Sequence, residues 1–207
     1  MAEGSTRKPN RRGVAAREQL LSTALRLLGE GRPESVSINL VAKEAGLSWG
    51  SVQNLYGDSD GFWSAVIDQI VDGSGDLWAE PVSDDIAGRV AEVAGLYRNL
   101  LSSPYSIAIE TIRNALPRPR ATLAQTHPKS AESLTRVEQA WEDAFLGFFA
   151  GIDDFDTERA RDVAAVLHSA LRGLHLDHML GTDTDFERAH ATLVAAMTSY
   201  LENPPGN

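Results

Sequence analysis

In the stretch SINLVAKEAGLSWGSVQNLYGDSDGF, residues 37–62, Ile38, Val41, Ala42 and Ala45 stand at i, i+3, i+4 and i+7, the period of a helix buried on one face. Ser37 is placed as its N-cap, and Gly46 falls just past its end, where a left-handed residue closes helices. A second, short helix follows, capped by Ser48 and turning Val52 and Tyr56 inward, and Asp58 or Ser59 opens another that runs to about Asp72. The connection at Gly46 is only a few residues long, so the two short helices must cross steeply, as in a helix-turn-helix. Three constraints meet at fixed offsets: Ala42 is small where the helices touch, Gly46 comes four residues later, and Val52 packs back six after that. The outward face of the second helix carries Trp49, Gly50, Ser51, Gln53 and Asn54, where short polar groups can reach base edges in a major groove. With Ser37, Asn39 and Ser48 at the helix starts, and with Arg11 and Arg12, these form the candidate DNA-contacting set.

The rest of the chain has the same helical period, punctuated by Gly, Pro, Ser and Asp. Upstream, a helix over about 14–30 carries the stripe Ala16, Leu20, Ala24, Leu27 and Leu28. Downstream, Gly73-Ser74-Gly75 marks a break. A helix follows Ser83, Ser103-Pro104 starts the next, and the proline-rich 117–129 reads as a loop. One more helix presents Val137, Trp141, Ala144, Phe145 and Phe148, one capped by Asp156 runs to about Leu180, and the last spans about 184–202. The expectation is an all-α chain of about nine helices. It divides into a flexible basic arm (1–13), a DNA-binding head (14–58), a helical ligand-binding and dimerisation body (59–202) joined through helix 59–72, and a flexible tail (203–207).

Charge is distributed in keeping with that division. The net charge is −10, yet residues 1–56 hold 8 Lys and Arg against 5 Asp and Glu, while the remainder holds 11 against 24. A basic head on an acidic body suits a protein whose head alone approaches a polyanion. Cysteine is absent, which excludes disulfides, thiol catalysis and Cys-ligated metals. The apolar stretch 144–152 is far short of the ~20 residues that span a bilayer. Arg17 and Glu18 interrupt the segment where an export signal needs an apolar run, so a cytoplasmic protein without membrane association is expected.

The sequence resembles the TetR-type one-component transcriptional regulators. The resemblance rests on Arg17 and the leucine stripe of the first helix, on the stretch 37–62, and, farther along, on ALRGLHLDHMLG at 170–181. It covers residues 14–72 in detail and the remainder in architecture. It implies a homodimeric repressor that grips a palindromic double-stranded DNA operator and is released by a small-molecule effector, with no cofactor and no catalysis. Two positions depart from the family pattern: Gln53 stands where a Tyr is usual, and Ser59 where a Lys usually opens the following helix. Both usual residues contact phosphate. Gln53 can instead read an adenine edge, and Arg7, Lys8, Arg11 and Arg12 can supply charge from the minor groove, so an operator of unusual sequence is expected.

Two other patterns compete with this reading. Gly46-Leu47-Ser48-Trp49-Gly50 matches the GxSxG of a hydrolase nucleophile elbow, but that motif follows a buried strand, and the residues before it have helical period. His168, His175 and His178 share one helix without a second cluster to complete a metal site, so no metal is expected. Aromatic residues at helical spacing, Trp78 and Phe148 among them, are core, and a cavity for a largely apolar effector would be walled by Tyr97, Tyr105, Trp141, Phe145 and His168, with Glu110 and Arg113 as polar anchors. A dimer interface is expected on Ala164, Leu167, Leu171 and Leu174 with Leu193, Met197 and Tyr200, beside the mid-helix Gly173.

Overall fold

The computed structural model describes residues 11–31, 37–74, 79–153 and 155–203. Its helices are α1 (Arg11–Gly29), α2 (Ile38–Glu44), α3 (Trp49–Tyr56), α4 (Ser59–Ser74), α5 (Ile86–Leu101), α6 (Pro104–Ala115), α7 (Arg120–Thr126), α8 (Pro128–Phe148), α9 (Thr157–Met179) and α10 (Phe186–Glu202). The all-α expectation holds, with ten helices among the described residues. The additional one is α7, inside the segment expected to be a loop. Pro119 sits at its N-cap and Leu123 is its buried residue, so prolines that read as helix breakers instead flank a short helix. Helix α1 spans Arg11–Gly29, so Arg11 and Arg12, expected in a flexible arm, are helical. Arg7, Lys8, Gly75 and Trp78 lie outside the described residues.

The chain packs as two compact units, Met1–Ile70 with Ile107–Leu134, and Val71–Ser106 with Thr135–Asn207. This partition differs from the linear one read from the sequence, because residues 107–134 pack with the N-terminal helices. In the first unit, Leu20, Ala24, Leu27 and Leu28 of α1 are buried together with Val41, Ala42, Val52, Phe62, Val66 and Ile67. Thr111 of α6 donates its hydroxyl to the Leu28 carbonyl at 3.3 Å, and the Ser64 and Ser133 hydroxyls lie 2.8 Å apart between α4 and α8.

The second unit is built on α5, α9, α10 and the later turns of α8. Its core joins Val90, Val93 and Tyr97 of α5 to Trp141, Phe145 and Phe148 of α8 and to Ala160, Ala164, Leu167 and Leu171 of α9. The buried Arg89 donates to the carbonyls of Ser83 and Phe148, which holds the start of α5 to the end of α8. Asp85 and Asp185 cap α5 and α10 by accepting from the amides of Gly88 and Arg188. Among the described residues, no helix is long and apolar enough to cross a membrane.

Candidate nucleic-acid interface

The helix-turn-helix is assembled by caps and by one left-handed residue. The Ser37 hydroxyl accepts from Leu40 N at 3.4 Å and starts α2. At its other end Gly46 takes φ +65°, a conformation in which an L side chain is strained, and Gly46 N and Leu47 N donate to the carbonyls of Lys43 and Ala42. The Ser48 hydroxyl then accepts from Ser51 N at 3.3 Å and starts α3, so the serine of the GxSxG pattern works as a helix cap. Val52 is fully buried, as the spacing requires.

Helix α3 is held from behind by α1. Arg17 Nη2 donates to the Leu55 carbonyl at 2.8 Å, satisfying an end carbonyl of α3 that has no helical partner. The Arg17 guanidinium lies 4.8 Å from the Tyr56 ring centre, and the Tyr56 hydroxyl donates to the Arg17 carbonyl at 3.3 Å. Burial pushes the Tyr56 hydroxyl above its ordinary pKa, with Arg17 opposing the shift.

These contacts leave the other side of α3 outward. Gly50, Gln53 and Asn54 are exposed, and Trp49 and Ser51 are half-buried; around them Asn39 and Ser48 are exposed and Ser37 is half-buried. All belong to one compact unit with Arg11 and Arg12, which lie exposed about 8–9 Å along the axis of α1 from Arg17. The surface is one of neutral donors and acceptors: an amide of the Gln53 or Asn54 kind pairs bidentately with adenine N6 and N7, and hydroxyls accept either partner.

After α3 the chain turns at Gly57 (φ +85°), and Asp58 caps α4 by accepting from Gly61 N at 2.6 Å. Gly61 is needed here, because a Cβ would collide with the Tyr56 carbonyl. The start of α8 packs on this turn. Asp60, only 8% exposed, accepts from Lys129 N at 2.9 Å through Oδ2 and from Ser130 N at 2.9 Å and Ser130 Oγ at 2.7 Å through Oδ1. Lys129 Nζ lies 3.1 and 3.0 Å from the two Asp58 carboxylate oxygens. The Gly61 amide first, and then Lys129, hold the Asp58 carboxyl below the usual carboxylate pKa.

Of the candidate effector residues, four come together in the second unit. The Tyr97 and Trp141 ring centres are 4.3 Å apart, Trp141 lies 5.9 Å from Phe145 and 5.3 Å from His168, and Tyr97 Oη is 3.3 Å from His168 Nδ1. Trp141 Nε1 donates to the Ala164 carbonyl at 3.0 Å. These rings pack against one another. Tyr105 lies against Gly73, where a Cβ would fall 2.9 Å from its ring, and Glu110 and Arg113 are half-buried in the first unit.

Several of the candidate dimer residues belong to the core of their own chain: Ala164, Leu167 and Leu171 are buried in it, and Leu193 and Met197 pack on it. Leu174 is half-buried. Tyr200 is 40% exposed, donates to Asp162 at 3.0 Å and lies under Arg159. The apolar side chains that α9 does present outward are Val166, Leu176 and Met179, followed by Leu180 at its end. Gly173 shares that face, and a Cβ there would meet nothing within 4 Å. On α10, Ala191, Thr192, Ala195 and Ala196 are exposed, and a shallow groove runs past Arg188, Thr192, Leu193 and Ala196. A second helical stripe, Val166, Gly173, Leu176 and Leu180, is the sequence signal for this surface.

No protein-family model and no curated protein sequence matches the chain. Among solved structures it is similar to a TetR-family transcriptional regulator from Streptomyces coelicolor, with TM-score 0.66 and 17% identity over 90% of this chain and 80% of that one. It is also similar to a transcriptional regulator from Rhodococcus sp. Rha1, with TM-score 0.66 and 21% identity over 91% and 99% of the two chains. The multidrug binding protein EbrR, solved with imidazole, matches with TM-score 0.60 and 18% identity over the full length of both chains. The architecture is therefore one shared with solved transcriptional regulators. More narrowly, the chain has the fold of the TetR family.

Proposed function

We propose that the protein is a ligand-responsive transcriptional regulator, a repressor, that binds a palindromic operator as a homodimer and is released by a small molecule. The observation that carries this reading is α3 itself. It is capped at one end by Ser48 and pinned at the other by Arg17, and it turns Gln53 and Asn54, its two side-chain amides, to solvent. A folding role does not account for that face. No catalytic role is assigned to any residue, and a cytoplasmic location follows from the proposed work on DNA.

Two recognition helices read one palindrome only when set about 34–36 Å apart. The apolar face of α9, with the small residues of α10, is the surface proposed for the second copy. An effector that favours a different separation weakens the operator by its differential affinity, and DNA weakens the effector equally. Helix α4 is the proposed link: it begins two residues after α3 and continues into the second unit. The effector proposed is largely apolar, in line with the drug binding of one structural neighbour.

The test is enrichment of duplexes from a random library by the full chain, followed by a salt titration. A sequence-selective complex that weakens steeply with salt is expected. Replacing Gln53 and Asn54 together by Ala should remove selectivity at about 1–3 kcal/mol per lost base contact while leaving the fold intact. Wild-type binding by the double variant refutes the assignment of this face. A chain that enriches nothing supports instead a ligand- or partner-binding protein without an operator, the reading that Gln53 and Ser59 favour.

A further inference from the structure

The reading helix α3 has the sequence WGSVQNLY and carries no charge. Duplex DNA presents one phosphate charge per about 1.7 Å, so a neutral helix must be flanked by cations contributed from elsewhere. Two nearby arginines are engaged within the protein: Arg17 on Leu55 and the Tyr56 ring, Arg26 on Glu30 and Glu44. The C-terminal end of α3 has a cation brought to it from far away in the chain. Eight residues of helix extend about 12 Å, comparable to the width of the major groove, so the turn that leaves α3 meets a groove wall, which is phosphate. Lys129 holds its ammonium at that turn, on Asp58.

Its placement is built rather than incidental. The Lys129 amide is fixed on Asp60 Oδ2, and the neighbouring Ser130 is fixed through its amide and hydroxyl on Oδ1, so the backbone that carries the lysine is bound to the first turn of α4 within one compact unit. The lysine side chain is 48% exposed and the Asp58 side chain 56%, and a pair so open to water adds little to stability. An ammonium has three donors and Asp58 engages two, which leaves one to meet an incoming oxygen. The ammonium also cancels a carboxylate that would otherwise repel DNA at this point.

We propose that Lys129 is a phosphate-binding residue, contributed by α8 to the turn that leaves the recognition helix and serving where Ser59 supplies no charge. The inference rests on the DNA-binding reading above. Full-length protein is titrated with salt on two probes, a duplex enriched by the wild type and a mixed-sequence duplex of the same length. Lys129→Gln should weaken both alike, by about eightfold per protomer at ~0.1 M salt, and should lower the salt slope by about 0.9 per protomer. Lys129→Arg should restore both quantities. Asp58→Asn keeps a capping side chain and should tighten binding, and adding Lys129→Gln to it should weaken binding again.

A wild type that binds selectively beside a Lys129→Gln variant with unchanged affinity and slope overturns this proposal and leaves the DNA-binding reading standing. Full recovery in the double variant means that Lys129 only neutralises Asp58, which also overturns the contact. A loss independent of salt, or accompanied by a lowered melting temperature, is a structural role and overturns it too. A wild type without a selective complex overturns both readings.

Discussion

Asp60→Ala tests the joint between the turn after α3 and the start of α8. The carboxylate accepts three hydrogen bonds, two through Oδ1 from the amide and hydroxyl of Ser130 and one through Oδ2 from the amide of Lys129. Ser130 is completely buried, so its two donors find no water when the carboxylate is removed, whereas the Lys129 amide is only part-buried. A buried donor left unsatisfied costs about 1–3 kcal/mol, so two of them put the loss near 4 kcal/mol, before any gain from the Ser130 hydroxyl, which also reaches the Asp60 carbonyl. Asp60→Asn keeps an oxygen at the Oδ1 position for Ser130 and turns an NH₂ toward the Lys129 amide, so it should cost only about 1–2 kcal/mol. Urea unfolding measures both variants, and amide hydrogen exchange of residues 129–132 localises the effect. Should Asp60→Ala fall within about 0.5 kcal/mol of wild type, or Asp60→Asn prove the more damaging, the reasoning that this carboxylate holds α8 to α4 is wrong.

Trp141→Ala should destabilise by about 3–5 kcal/mol in thermal or urea unfolding, because the ring packs on Tyr97 and its indole N–H is spent on Ala164; a loss under 1 kcal/mol would mean an open cavity wall instead. On the proposed homodimer, replacing Val166 and Leu176 together by Glu should shift sedimentation from dimer to monomer without lowering helicity, since the two side chains are 49% and 56% exposed within one chain. Unchanged sedimentation would place the interface elsewhere. For Asp58, whose native carboxyl titrates below its ordinary value, the stabilising contribution is complete above pH ~4 and disappears as pH falls through the lowered native value. The melting-temperature gap between wild type and Asp58→Asn should therefore be constant near neutral pH and close toward strong acid; a gap that widens in acid contradicts the assignment.

The head of this chain is readable locally because its determinants are local. Ser37, Gly46 and Ser48 each act within four residues of their own position, and the structure uses them as caps and as a left-handed turn. Longer-range features left no such trace. Asp60 finds its partners 69 and 70 residues away, so nothing near it in sequence distinguishes it from a solvent-facing acid in a first helical turn. On α9, apolar residues occupy two faces, and periodicity measures how they are spaced without showing which face the same chain covers. The stripe of Ala164, Leu167 and Leu171 therefore reads as a partner surface, although Trp141, Phe145 and Tyr97 share its core. Aromatic residues of one unit and Glu110 and Arg113 of the other read as one set from the sequence, because α6 is divided between the two compact units inside a single uninterrupted helix.

A helix of eight residues is too short to persist alone in water, where about 12–15 are needed for even marginal helicity, so α3 owes its existence to what holds it from behind. Arg17, Tyr56, Val52 and the Ser48 cap supply that hold without drawing on Gln53 or Asn54. The text that the helix presents and the clasp that binds it are thus separate sets of residues. Positions 53 and 54 can be rewritten, by drift or by design, at almost no cost to folding, and under the DNA-binding reading proposed above an exchange of these two side chains moves the chain from one DNA address to another while everything behind them stays unedited.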